Sequence, residues 1–98
     1  MVTIEAQKLY DIKSLDQLRQ VVEENEGVLT ITMEHLRDAH GAGRLGVHVR
    51  TSISKALLGR GLGHCPEELP AYQENPVRIY KLGSRVADLI DAVLKPNP

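Results

Sequence analysis

The sequence predicts a small α+β domain, with a three-helix core, a short antiparallel sheet and one further helix at the C-terminal end. Three observations predict it. The 98-residue chain has the length of one domain, and its 42% of apolar residues can build a core without disulfide or metal staples. Its apolar positions follow a helical period in four stretches and an alternating one in shorter stretches between them. The stretch LGVHVRTSISKALLGRGL, residues 45–62, joins an apolar entry, a basic and hydroxyl-rich helical face and a Gly-Leu exit.

Taken in order, residues 2–12 alternate loosely (Val2, Ile4, Ala6) and predict a short strand or an extended arm. Ser14 and Gln17 have capping-box spacing. They start a helix whose Leu15, Leu18, Val21 and Val22 share a face, with Gly27 as the residue after its end. VLTIT (28–32) is β-branched and predicts a strand feeding directly into MEHLRDAH, capped by Thr32 and turned inward at Met33, Leu36 and Ala39 or His40. After the loop GAGRLG (41–46), an advance of about 100° per residue puts Val49, Ile53, Ala56, Leu57 and Arg60 on one side of the third helix. His48, Thr51, Ser54, Lys55 and Leu58 fall on or near the other side, with Arg50 and Ser52 on the flanks.

GLGHC and VRIYKL then read as two strands joined by the proline-containing excursion PEELPAYQENP, with Val77, Ile79 and Leu82 facing in and Arg78, Tyr80 and Lys81 as the more polar members. Ser84 caps a last helix bearing Val86, Leu89, Ile90, Val93 and Leu94. That broad stripe is read first as core cover and second as a homodimer contact. The domain spans 1–95, and residues 96–98 read as a tail or the start of a linker.

Aromatic residues are scarce, so the core is aliphatic. Cys65 is the single cysteine, which rules out an intrachain disulfide and suggests a reducing compartment. No apolar run has the length of a membrane span, and MVTIEAQKLYDI lacks the features of a secretion signal. A cytoplasmic protein is the expectation.

The net charge is −1, but its distribution is uneven. Arg37, Arg44, Arg50, Lys55 and Arg60 face only Asp38 within residues 35–64, a local charge of +4, and the rest of the chain carries −5. All four histidines (His35, His40, His48, His64) lie in the same window. One positive face on an acidic body follows.

Leu45-Gly46-Val47, then Thr51, Ile53-Ser54-Lys55-Ala56-Leu57 and Gly61-Leu62, are similar to the recognition-helix stretch of winged-helix transcriptional regulators. The element order over residues 14–82 resembles the winged helix-turn-helix fold, here followed by one extra helix. Two departures stand out: the loop at 40–46 is longer and richer in glycine, and the segment from Leu57 to Gly61 is shorter by about one helical turn.

The resemblance implies double-stranded DNA as partner, with the third helix in the major groove and the protein near the nucleoid. His48, Arg50, Thr51 and Lys55 are then the base-reading candidates, and Arg37 and Arg44 the phosphate candidates. His64, Tyr72, Gln73 and Arg78 are candidates for the wing, where Glu67, Glu68 and Glu74 count against close approach to phosphate. The alternative is a winged-helix protein-interaction domain, within a larger protein, that binds no DNA.

Other chemistries find less support. Gly41, Gly43 and Gly46 fit G-x-G-x-x-G, but a helix precedes them where a dinucleotide fingerprint needs a strand. His35, His40, His48, His64 and Cys65 lack metal-ligand spacing, and no nucleophile–base arrangement stands out. No cofactor, metal, small-molecule substrate or enzymatic activity is expected.

Overall fold

The computed structural model describes residues 12–94. The arm expected over 2–12 lies outside the described residues except for Ile12, as does the tail at 96–98. Among the described residues the order is α1 (Leu15–Glu24), β1 (Val28–Thr32), α2 (Met33–His40), α3 (Val47–Gly59), β2 (Leu62–Cys65), β3 (Pro76–Lys81) and α4 (Arg85–Leu94). The strands form one antiparallel sheet in the order β1-β3-β2. The domain is therefore α+β, as the alternating patterns predict.

Local chemistry sets the boundaries. The Gln17 amide donates to Ser14 Oγ (3.1 Å), and Gln17 Oε1 accepts from the Lys13 amide (2.6 Å), so the capping box closes one residue early. At the other end of α1, Asn25 is the cap, Glu26 takes the left-handed turn at φ 64°, and the Gly27 amide donates to the Val22 carbonyl. Gly27 thus sits one position later than its sequence suggested. The buried Asn25 side chain donates to the Val28 carbonyl at 2.8 Å, which fixes the turn into β1. Thr32 caps α2, and Gly41 ends it in the left-handed region at φ 80°, a conformation that costs glycine little.

The sheet separates two apolar layers. Leu29, Ile31, Leu62, Val77 and Ile79 pack with Leu15, Leu18, Val22, Met33, Leu36, Ile53 and Leu57, so α1, α2 and α3 lie on one face. On the other face Val28, Tyr80 and Ala87 form a second, smaller cluster under α4. Tyr80, read from alternation as a polar, outward residue, is therefore only 7% exposed. The alternation placed it correctly opposite Ile79, but this sheet is covered on both sides.

Gly63 pairs with Tyr80 across β2 and β3, and a Cβ there would lie 2.6 Å from the ring. The ring occupies the space that a side chain at 63 would need. Burial, then the charges of Asp91, Cys65 and Glu67, raise the Tyr80 pKa above the ordinary tyrosine value near 10. The neutral phenol is thus favoured by folding. Its contribution is complete below the unfolded value and is lost as pH rises through the higher folded one. Urea unfolding at rising alkaline pH should show Tyr80→Phe losing less stability than the parent over that window.

The last helix departs from expectation most. Ser84 caps it, its Oγ accepting from the Ala87 amide at 3.1 Å. Only Ala87 is buried; Val86 and Ile90 are half-buried, and Leu89, Val93 and Leu94 are exposed. The core-cover reading fails for those three because α4 covers the Val28–Tyr80 row and leaves the Thr30–Arg78 row open. Leu82, expected to face in, lies beyond the end of β3 and is partly exposed.

Candidate nucleic-acid interface

Helix α3 is positioned by Ile53 and Leu57, both fully buried, with Val49 and Ala56 packed beside them. At its C-terminal end, Arg60 Nε donates to Asp16 Oδ1 at 2.9 Å, tying α3 to the start of α1. These anchors fix the rotation of the helix. Val47, His48, Thr51, Ser52, Lys55 and Leu58 are consequently left in solvent, and no residue of the helix is acidic.

His48, Thr51 and Lys55 follow an i, i+3, i+7 spacing and share one stripe, with Arg44 exposed in the loop just before it. Thr51 Oγ1 donates back to the Val47 carbonyl at 2.9 Å. Its hydroxyl proton is thereby occupied, and a methyl group and an acceptor oxygen remain. Ser52 Oγ lies 3.1 Å from His40 Nε2, linking α3 to the end of α2.

The excursion at 66–75 does not project from the sheet as a free loop; it folds back over α2 and α3 as a strap. Leu69, the apolar residue between two prolines and two acids, is buried at 4% exposure in the main core. The Leu69 carbonyl accepts from Arg50 Nη1 at 3.2 Å, and the Asn75 and Gln73 carbonyls accept from the Met33 and Glu34 amides. Those two amides open α2 and have no partner within their own helix, so the strap completes that cap. At its base, His64 Nδ1 lies 2.8 Å from the Pro66 carbonyl and Nε2 lies 2.8 Å from Ser54 Oγ. A carbonyl only accepts, so Nδ1 carries the proton, and in the neutral ring Nε2 accepts from Ser54.

This arrangement divides the residues singled out from sequence. Thr51, Lys55 and Arg50 line one groove of about 300 Å³, but Glu67, Glu68 and Leu69 of the strap form its other wall. Arg50 is turned toward the strap, with its Nε buried and without a hydrogen-bond partner among the described residues. Arg37 is likewise engaged, with Nε on Asp38 Oδ1 at 3.1 Å and Nη1 on Gln73 Oε1 at 3.0 Å. His64 and Gln73 serve the strap, whereas Tyr72 is exposed on it. Arg78 lies on the opposite face of the sheet from α3, near Thr30 Oγ1 at 3.4 Å, and does not join the others.

Sequence reasoning missed the Ser54–His64 link and the role of Leu69. A lone leucine inside a Pro- and Glu-rich loop was the available signal for the latter. Exposed Val47 and Leu58, at the two ends of the outer face of α3, were also not singled out as site residues.

No group of three or more metal-binding side chains gathers among the described residues, and no described helix is long and apolar enough to cross a membrane. Neither a protein-family model, nor a curated protein, nor a solved structure matches the chain.

Proposed function

We propose that this chain is a winged helix-turn-helix module that binds double-stranded DNA through α3, in transcriptional regulation or another cytoplasmic DNA transaction. The observation that carries the proposal is the outer face of α3. It is free of carboxylates and solvent-facing, and between exposed Val47 and Leu58 at its two ends it carries short polar side chains with one histidine and one lysine, preceded by exposed Arg44. A helix of about 10–12 Å diameter fits a major groove of similar width, and small polar residues let it approach base edges. The order helix, strand, helix, helix, strand, strand supports the fold reading.

His48, Thr51 and Lys55 are the base-facing residues in this proposal, with Arg44 on phosphate. Arg50 and Arg37 act indirectly, by holding the strap that shapes one side of the groove. The chemistry required is recognition alone, with no bond made or broken.

Glu67 and Glu68 favour a second reading, a winged-helix surface for a protein partner. They place two carboxylates opposite Lys55, where phosphate would be repelled. Exposed Val47 and Leu58 would suit such a partner as well. The double substitution Glu67→Gln, Glu68→Gln separates the readings. Under the DNA proposal it should tighten duplex binding by roughly three- to tenfold at low salt, measured by fluorescence anisotropy. Unchanged affinity would count against DNA in this groove.

A further inference from the structure

The side chains of α3 divide by the base edges that each is still free to meet. The helix, VHVRTSISKALLG, contains no Asn, Gln, Asp or Glu. It therefore has no amide to pair with adenine and no carboxylate to accept from cytosine. All three of its hydroxyls are engaged within the protein. Thr51 Oγ1 donates to the Val47 carbonyl at 2.9 Å, Ser52 Oγ lies 3.1 Å from His40 Nε2, and Ser54 Oγ lies 2.8 Å from His64 Nε2. Arg50 is held by the Leu69 carbonyl. His48 and Lys55 remain as exposed donors, and Lys55 suits the guanine acceptors O6 and N7.

Beyond those two donors, this part of the outer face offers methyl groups. Thr51 is exposed, and with its O–H directed at the preceding turn its methyl is the group left for a ligand. Val47, 61% exposed, stands one turn before it, and both line the groove beside the strap. Val47 opens the helix, and the N-terminal end is the one from which a recognition helix meets base edges. The major groove holds one group that matches a methyl, the C5-methyl of a pyrimidine, which thymine carries and unmodified cytosine lacks.

We propose that Thr51 and Val47 read the C5-methyl of thymine by apolar contact, beside Lys55 on guanine. The inference rests on DNA as the ligand of α3 and adds which base the helix selects. 5-Methylcytosine presents the same methyl at the same place in the groove, so it is the other source of this chemistry. Removing one buried methyl from such a contact costs about fourfold in affinity.

Fluorescence anisotropy tests it, on the duplex that the full chain enriches most from a random-sequence pool. Exchanging thymidine for deoxyuridine, one position at a time, removes the methyl and nothing else. At one or two positions the parent should lose about fourfold in affinity. Thr51→Ser keeps the back-bonding hydroxyl without the methyl and should abolish the sensitivity at one position. Thr51→Val keeps a methyl without the hydroxyl and should retain it. At a sensitive position, a C·G pair with 5-methylcytosine should bind about fourfold tighter than the unmethylated pair. A T·A pair should bind at least as tightly as the methylated one; the opposite order would overturn the assignment to thymine. Indifference to every exchange, in a protein that binds the duplex, would overturn the inference and leave the DNA reading standing. Sensitivity undiminished in the Thr51→Ser, Val47→Ala double variant would overturn it in the same way. No enrichment of any duplex at low salt would overturn the DNA reading, and the inference with it.

Discussion

Leu57→Ala is expected to destabilise the domain by roughly 2–5 kcal/mol, a large part of what a domain of this size has. Leu57 is fully buried on the inner face of α3, within the cluster that joins the helices to Leu62 and Ile79 of the sheet. Truncation removes the transfer free energy of three carbons and leaves a cavity bounded by two elements that cannot both move in. Leu58→Ala, one residue along, should change stability by no more than about 0.5 kcal/mol, because that side chain is 65% exposed. Denaturant unfolding of the pair measures the rotation of α3 directly. Equal effects at 57 and 58 would mean that the helix is turned otherwise.

Lys55→Glu is expected to cost at least about tenfold in affinity for duplex DNA while leaving stability within roughly 0.5 kcal/mol. The lysine is exposed, engages in no ion pair among the described residues and lies across the groove from Glu67 and Glu68. Reversal therefore turns the one fixed cation of the α3 stripe into a third carboxylate facing the same space. Arg44→Ala should have a smaller effect, since it removes one loop charge without adding another. If Lys55→Glu bound DNA as well as the parent, the contact surface would have to lie elsewhere.

Much of the architecture was legible because periodicity reports which face is buried. VLTIT forms β1 over 28–32 as read, Thr32 caps α2, and the inward set on α3 contains Ile53 and Leu57. Of the outer set, His48, Thr51, Lys55 and Leu58 are exposed, whereas Ser54 is half-buried against His64. What alternation could not show is how many layers lie over a sheet, so Tyr80 was read as an outward polar residue although it packs under α4.

The illegible parts are long-range. Arg50 looks in sequence like any flank residue of a basic helix, yet its guanidinium is committed to the carbonyl of Leu69, 19 residues away. Arg37 is held by Gln73, 36 residues away. Counting positive residues in a window therefore overstates the charge offered to a ligand, because two of the five are already engaged in the strap. The same fold-back brings Glu67 and Glu68 beside α3, which their separation in sequence does not announce.

The strap also gives a physical account of why this loop keeps one leucine and several backbone acceptors. It closes the open end of α2 and seats Leu69 in the core, so the groove beside α3 has a fixed wall. A fixed wall presents α3 at one angle, which helps a rigid ligand such as a duplex more than a flexible one.

The most direct measurement is titration of the unmodified protein with duplex DNA at several salt concentrations. With Arg44 on phosphate and Lys55 entering the groove beside it, two cations displace counterions from the duplex, the equivalent of about two phosphates neutralised. The logarithm of the binding constant should then fall against the logarithm of salt with a slope of roughly −2. No binding at the lowest salt, or binding that ignores salt, would contradict the account.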